Sequence, residues 1–354
     1  MSDPLYDESG IQLFQGHAIE VLRELSDESM QCVVTSPPYY RLRDYKIQAQ
    51  VWDEEPGSWR GSLGLEPTPD LYIAHLVTIF REVRRVLRSD GVCWVNMGDS
   101  YAGSWGAQSR GAEHPSRSLE GGSMLSARQI AAAPRLVSRT GSVDRASGLK
   151  PKDLIGAPWM LAFALRADGW WLRRDIIWAK GLSFCPSYAG SVMPESVTDR
   201  PTTAHEYLFL LTKAERYYYD AEAVKDKAIH GGKVVTLREK SLSRGSAIAM
   251  GIEPSGNGRA ETITVGDRRN LRSVWAINPE PFPEAHFATF PRALVTPCVL
   301  AGSRPGDTVL DPFAGAGTTL LVAKDLGRRA IGIELSAEYC ELARKRFRQE
   351  VLAL

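Results

Sequence analysis

The chain has 354 residues, 44% hydrophobic and 24% charged. That is too apolar for a disordered polymer, and long enough for two domains or one large domain with an insertion. Lys and Arg number 43 against 42 Asp and Glu, a formal charge of +1, which excludes a uniformly basic coat but not a local basic face. Cys32, Cys93, Cys185, Cys298 and Cys340 are scattered without a CxxC pair, which argues against a zinc ribbon or dithiol redox site and suits a reduced, cytosolic protein. The opening MSDPLYDESG is acidic and lacks an apolar core, so no signal peptide is expected. No apolar run reaches the roughly 18 residues of a membrane span.

Ile11–Phe14 reads as a short strand, followed by an amphipathic helix with Ile19, Val21, Leu22 and Leu25 on its apolar face. The strand Gln31–Thr35 stops at Ser36-Pro37-Pro38, because two prolines cannot continue a sheet interior. The stretch 35–40 therefore falls at the carboxyl end of a strand, where open α/β sheets bind ligands. Residues 41–68 read as loop. The period of Leu71, Ile73, Leu76, Ile79, Phe80, Val83, Val86 and Leu87 predicts a helix from about Asp70 to Arg88, capped by Asp70. Asp90-Gly91 is expected to turn into the strand Val92–Met97. Residues 104–150 hold nine serines, six glycines and seven basic side chains against three acidic ones, and read as a flexible basic insertion.

A helix is predicted over Leu154–Ala167, and strands over Trp171–Lys180 and Glu206–Thr212. From Lys225 to Arg272, ten Lys and Arg stand against five Asp and Glu. Periodicity there is weak, which suggests a small separate module. The end of the chain is strongly α/β. A helix at about Pro291–Ala301 leads to the strand Thr308–Leu310, a glycine loop, a helix Thr318–Leu326, a strand Ala330–Glu334 and a final helix at about Ala337–Gln349.

Two stretches carry chemistry. In Asp311-Pro312-Phe313-Ala314-Gly315-Ala316-Gly317-Thr318-Thr319 the glycines let backbone approach a ligand closely. Glu334 ends the next strand, 19 residues after Gly315, and a carboxylate there accepts the ribose hydroxyls of a nucleoside. No GKS/T follows, which excludes a phosphate-binding P-loop. In the other stretch, Ser36 offers a hydroxyl, Pro37 a carbonyl in a rigid backbone and Tyr39 an aromatic face for stacking on a base. Two acceptors and a ring suit a planar heterocycle bearing an exocyclic amine. Arg41 and Arg43 follow this strand and suit either phosphate contacts or a solvated loop. Cys298 reads as core, His205-Glu206 as a structural pair without partner ligands for a metal, and Tyr217-Tyr218-Tyr219 as packing.

Together these stretches resemble the DNA amino-methyltransferases, which methylate the exocyclic amine of cytosine or adenine. The resemblance covers most of the chain: TSPPYY (35–40), GVCWVNMGDSY (91–101), WLRRDIIWAKG (171–181), PESVTDRPTTAHEYLFLLTK (194–213), HFATFPRALV (286–295), VLDPFAGAGTTLLVA (309–323) and RRAIGIELSAEYCELARKR (328–346). The catalytic motif precedes the cofactor motif, the order of the family's permuted β group. The resemblance implies a Rossmann-like, S-adenosylmethionine-dependent α/β domain, its mostly parallel sheet covered by helices on both faces. Residues 1–219 would form the catalytic half, 220–277 a small target-recognition region and 278–354 the cofactor-binding half. S-adenosylmethionine would be held by Asp311, Phe313, Gly315, Gly317, Thr318, Thr319 and Glu334, with Phe290 and Pro291 from the FPRAL segment. Where the family often has an acidic residue after the glycine near the first strand, this chain has Gly16-His17.

The resemblance also implies a mechanism. The target base is flipped out of duplex DNA, and Ser36, Pro37, Pro38 and Tyr39 hold it for direct in-line methyl transfer. Family members with Ser at the first position mostly act on cytosine N4, and those with Asp or Asn on adenine N6. Ser36 therefore favours cytosine, with adenine N6 as the alternative and an inactive DNA-binding relic as a further one. A carbon-5 methyltransferase is disfavoured, since the only Pro-Cys is Pro297-Cys298 within a predicted helix. The expected setting is a restriction-modification or epigenetic role in the prokaryotic cytoplasm, at the nucleoid. Double-stranded DNA is the expected partner, with a companion restriction endonuclease possible, no membrane or metal site, and a monomeric or homodimeric state.

Overall fold

The computed structural model describes residues 3–42, 47, 49–52, 58–102, 148–195, 197–228, 234–237, 261–264, 267–280 and 290–352. Its elements are β1 (Tyr6–Glu8), β2 (Ile11–Gln15), α1 (Ala18–Glu24), β3 (Met30–Thr35), β4 (Gln50–Trp52), β5 (Trp59–Gly61), α2 (Pro69–Val86), β6 (Leu87–Met97), α3 (Ala157–Ala167), β7 (Trp171–Ala179), β8 (His205–Thr212), β9 (Asp226–Lys227), β10 (Val234–Leu237), β11 (Glu261–Thr264), β12 (Arg268–Arg269), β13 (Val274–Ala276), α4 (Arg292–Gly302), β14 (Thr308–Asp311), α5 (Thr318–Asp325), β15 (Arg329–Glu334) and α6 (Ala337–Leu352). They fall into two compact units. Met1–Tyr219 with Ser273–Leu354 form one, and Asp220–Arg272 the other.

The larger unit is built on a nine-stranded sheet in the order β1-β2-β15-β14-β3-β6-β8-β7-β13. Strands β2, β15, β14, β3 and β6 are mutually parallel. Strand β8 runs against both β6 and β7, β13 is parallel to β7, and β1 is antiparallel to β2. Strand β3 is buried along its whole length, as expected of a strand covered on both faces. Its side chains alternate. Val33, paired with Cys93, joins the core formed with Leu76, Ile79 and Val83 of α2. Cys32 points the other way, where its Sγ lies 3.9 Å from the Cys298 carbonyl of α4.

Helix α2 starts one residue before the expected position. Thr68, not Asp70, is the cap: its hydroxyl accepts from the Leu71 amide at 3.2 Å, and Pro69 occupies the first helical position. Proline there loses no hydrogen bond. Strand β6 begins directly at Leu87 rather than after a turn at Asp90-Gly91, because Leu87 already pairs with Met30. Arg85 of α2 donates to the carbonyls of Leu22 and Leu25, closing the end of α1. The expected loop 41–68 contains the antiparallel ribbon β4–β5.

Most of the basic stretch 104–150 lies outside the described residues. Its flanks meet where the Ala102 amide donates to the Asp153 carbonyl at 2.8 Å and the Lys152 amide returns to Ala102 at 3.0 Å. In the smaller unit, β10 pairs with β11 and β9 with β12, all antiparallel. Arg269 donates two hydrogen bonds to Asp226 Oδ2, at 3.1 and 2.7 Å, and holds that carboxyl below its usual range. Residues 274–276 are not in this unit, since β13 pairs with β7 in the main sheet. No described helix is long and apolar enough to cross a membrane.

Candidate active site

Strands β3 and β14 are neighbours, but the chain leaves them in opposite directions across the sheet: β3 leads through α2 to β6, and β14 through α5 to β15. This is a topological switch point, and the carboxyl ends of the two strands frame a crevice suited to a ligand. Thr35 ends β3 and Asp311 ends β14, and the buried Thr35 hydroxyl donates to Asp311 Oδ1 at 2.6 Å. The same oxygen accepts from the Phe313 amide at 3.0 Å. Asp311 Oδ2 is buried and has no partner among the described residues. Burial pushes the Asp311 carboxyl up to about 6, against the hydrogen bonds that favour its ionised form.

The loop between β14 and α5 turns through two glycines in the left-handed region, Gly315 at φ +51° and Gly317 at φ +77°. A Cβ on Gly315 would meet no atom within 4 Å, so this backbone borders open space, whereas one on Gly317 would lie 2.6 Å from the Phe347 ring of α6. Gly317→Ala is expected to destabilise the protein by about 1–3 kcal/mol, from left-handed strain and this clash, read as a lower denaturant midpoint at unchanged slope. Arg346 of α6 donates to the Ala316 carbonyl at 2.6 Å and to Thr318 Oγ1 at 3.2 Å, bracing the loop from behind.

Glu334 ends β15 beside this loop. Its Oε2 accepts from the Gly315 amide at 2.8 Å and its Oε1 from the Ser336 amide at 2.7 Å. Burial, with Asp311 nearby, pushes its carboxyl up to about 7, while the backbone donors pull the other way. Each oxygen keeps a further lone pair for a hydroxyl donor. The buried Asp311 oxygen, the glycine edge on open space and the Glu334 carboxyl fit a nucleoside-bearing cofactor. Thr319, expected at the cofactor, is buried, and its hydroxyl donates to the Val34 carbonyl at 3.2 Å. Pro291 is buried at the start of α4, and Phe290 is half-buried before it.

The loop after β3 holds the other expected residues. Pro37 is buried, and Ser36, Pro38 and Tyr39 are half-buried. Tyr72 of α2 donates to the Pro38 carbonyl at 2.7 Å and fixes the loop's path. One edge of the Tyr39 ring lies against Gly98, where a Cβ would come within 2.8 Å of it. Ser36 Oγ donates to Tyr39 Oη at 3.2 Å, and Tyr39 Oη donates to Glu206 Oε2 at 2.7 Å. Asn96 Nδ2 donates to the same Glu206 oxygen at 3.1 Å, and Lys180 pairs with Glu206 Oε1. Glu206 thus bonds to Tyr39, a contact that the reading of His205-Glu206 as a structural pair does not include. Strand β8 is antiparallel to β6, so its first residues lie at the edge where β3 and β6 end. Only that pairing, invisible in the sequence, brings Glu206 to Tyr39.

The segment after this loop is pinned by a buried pair. Glu66 Oε1 meets His75 Nδ1 at 2.9 Å, and Glu66 Oε2 accepts from the Gly64 amide at 2.8 Å. The His75 ring stacks on Trp52 and Trp59, with centroids 4.4 and 5.4 Å away. Gly64 in turn accepts the Arg41 amide at 2.7 Å. Arg41 donates to the Pro67 carbonyl at 3.1 Å and lies over the Tyr40 ring. Arg43 lies outside the described residues.

A mostly parallel sheet with one antiparallel strand beside β6, a glycine loop at its switch point and an acid ending the following strand define a Rossmann-like domain of the S-adenosylmethionine-dependent methyltransferases. The DNA methylase family model matches residues 30–345, and the chain belongs to that family. It is 42% identical over 350 residues to the type II methyltransferase M.Cfr9I of Citrobacter freundii, covering 99% of this chain and 91% of that one. It is 42% identical over 335 residues to M.SmaI of Serratia marcescens, covering 95% and 90%. The fold is shared with the PvuII DNA methyltransferase (cytosine-N4-specific), at 18% identity and a TM-score of 0.58, over 98% of this chain and 89% of that one. It is also shared with a Thermus thermophilus protein solved with S-adenosyl-L-methionine, at 23% identity and a TM-score of 0.50, over 96% and 95% of the chains.

Proposed function

We propose that this DNA methyltransferase transfers a methyl group from S-adenosylmethionine to the N4 amine of cytosine in duplex DNA. The observation that carries the choice of base is Ser36. It stands first in the loop ending β3, and its hydroxyl is oriented by Tyr39. The cytosine-N4 specificity named for the PvuII enzyme points the same way. Adenine N6 is the second reading, since the matching family model bears both amines in its name.

Bound S-adenosylmethionine supplies an electrophilic methyl group. Glu334 would take its ribose hydroxyls, Gly315 would let backbone approach it, Gly317 would supply the left-handed turn that seats the loop against Phe347, and Asp311, Phe313, Thr318, Phe290 and Pro291 would complete the pocket, with Thr319 shaping it from below. The amine is a poor nucleophile because its lone pair is delocalised into the ring. Ser36 Oγ and the Pro37 carbonyl accept the amine hydrogens and favour a pyramidal nitrogen. Pro38 and Tyr39 hold these acceptors in place beforehand, so little reorganisation remains in the transition state. The proton leaves to water after transfer. A base inside a duplex cannot enter such a site, so it is flipped out at a cost of a few kcal/mol.

Residues 220–272, the smaller unit, are proposed to read the target sequence and Arg41 and Arg43 to contact phosphates. The type II names of the relatives support a restriction-modification role beside a companion endonuclease, in the bacterial cytoplasm. The test is incubation with labelled S-adenosylmethionine and mixed-sequence duplex DNA, followed by nucleoside mass spectrometry and sequencing of the methylated positions. Label in N4-methylcytosine is expected. Label in N6-methyladenine overturns the choice of base, and no label in any nucleoside overturns the activity.

A further inference from the structure

We propose that Glu206 is a positioning residue that, acting through Tyr39, fixes Ser36 as a hydrogen-bond acceptor and so makes the site select a base bearing an amine over one bearing a carbonyl. This rests on the reading of Ser36 as the partner of the exocyclic amine. The direction of one proton decides the matter. A carboxylate only accepts, and Glu206 Oε2 lies 2.7 Å from Tyr39 Oη, so the single phenolic proton points to Glu206. A second described group near that hydroxyl, Asn96 Oδ1 at 3.2 Å, is also an acceptor. Its assignment follows from the amide nitrogen, which donates to Glu206 Oε2 and to the Tyr207 carbonyl, both at 3.1 Å. Glu206 takes the proton as the charged and closer acceptor, and by accepting from Asn96 Nδ2 it also sets which way that amide points, so the Tyr39 proton is turned away from Ser36.

Ser36 Oγ, 3.2 Å from Tyr39 Oη, must then be the donor of that bond. With its one proton spent on Tyr39, the serine hydroxyl presents only lone pairs to the site. A lone hydroxyl rotates and serves an amine or a carbonyl equally; this one is locked into one role. Lys180, paired with Glu206 Oε1, anchors the carboxylate end of the chain. A chain of bonds running one way also polarises the terminal oxygen and strengthens it as an acceptor. Glu206 is half-buried at the start of β8, and Lys180 follows the last residue of β7. The device is therefore assembled from three separate strands around the loop that meets the base.

The test compares binding, without cofactor, of two duplexes that differ only at the mapped methylation position, one with cytosine and one with uracil, which presents a carbonyl in place of the amine. The wild-type protein, Glu206→Gln and Tyr39→Phe are each measured on both duplexes, so any ease of flipping at the G·U mismatch cancels. The preference for cytosine over uracil is expected to fall about tenfold in both variants, the worth of one directed hydrogen bond, with affinity for S-adenosylmethionine unchanged. In a Ser36→Ala background, Glu206→Gln is expected to leave the preference where Ser36→Ala alone puts it. In steady-state turnover, kcat falls while the KM for DNA holds.

A merely structural role for Glu206 would weaken both duplexes together and leave their ratio intact, and that result overturns the proposal. So does a change in ratio that persists without Ser36. If Glu206→Gln loses cofactor binding through misfolding, Tyr39→Phe decides alone, since it keeps the ring against Gly98 and frees the serine to rotate. Should the wild-type enzyme label adenine, the choice of base has failed. The same comparison is then made with hypoxanthine against adenine, and an unchanged ratio there counts against Glu206 independently.

Discussion

Ser36→Ala is expected to lower the rate of the chemical step about 10²- to 10³-fold, the usual loss when one preorganised polar partner of a transition state is removed. Affinity for S-adenosylmethionine is expected to stay within about twofold, because the cofactor residues belong to the neighbouring strand and loop; a twofold change is only about 0.4 kcal/mol. Removing the hydroxyl takes away an acceptor for the amine and leaves Tyr39 Oη without its 3.2 Å donor. The loop itself should persist. Its path is set by the Tyr72 bond to the Pro38 carbonyl and by Glu66 and His75 beneath the next segment, none of which involves Ser36. The measurement is single-turnover methylation with saturating cofactor, beside calorimetric titration of the cofactor. A full rate in the variant would remove Ser36 from the chemistry, and a parallel loss of cofactor binding would mean that the two halves of the site are not separable as described.

The parts of this site that were legible in the sequence are those whose geometry is local. Two prolines end β3, so Ser36 had to stand at a strand's carboxyl edge. The strand, glycine loop, helix, strand and terminal acid from Thr308 to Glu334 form one continuous unit, and the structure holds Glu334 against Gly315 within it. Less legible were boundaries where two residues compete for one role. Thr68 and Asp70 both qualify as caps, and Pro69 between them favours Thr68 only once the first-turn position of proline is weighed.

What stayed hidden depended on pairing between distant segments. Glu206 reaches Tyr39 because β8 runs antiparallel to β6, and the pattern of HEYLFLLT is the same for either direction. The Glu66–His75 pair was equally silent. A glutamate in a loop and a histidine in a helix give no local sign of burial, yet both are almost fully buried, His75 against two tryptophans. A buried polar pair of this kind is stable only when its partners are already in place, and nothing in the local sequence announces that.

Cofactor affinity is expected to depend on pH through Glu334, in the direction opposite to the stability of the free protein. The carboxyl titrates at about 7 in the folded chain, above its value in an unfolded one, so the folded state binds more protons across the interval between. The contribution of this group to folding is therefore fully present below the unfolded value and is lost as pH rises through about 7. Asp311, raised to about 6, acts in the same sense. The free protein should accordingly gain thermal stability on acidification from neutral pH, as far as these two groups decide it. Ribose hydroxyls, in contrast, are donors, and they bind the ionised carboxylate. Below about 7 the cofactor must displace a proton from Glu334, so its dissociation constant should rise by up to about tenfold per pH unit.

Glu334→Gln carries an oxygen acceptor but no charge and no titration. Its affinity should be weaker than that of the wild type at pH 8 by about 1–3 kcal/mol, the worth of charge-assisted hydrogen bonds, and flat as the pH is lowered toward about 6, where Asp311 begins to titrate. The two curves should converge in acid, where the wild-type carboxyl is protonated. Fluorescence or calorimetric titration with S-adenosylmethionine across this range is sufficient. A wild-type affinity that does not change with pH would show that the cofactor does not engage the Glu334 carboxylate, whatever the variant does.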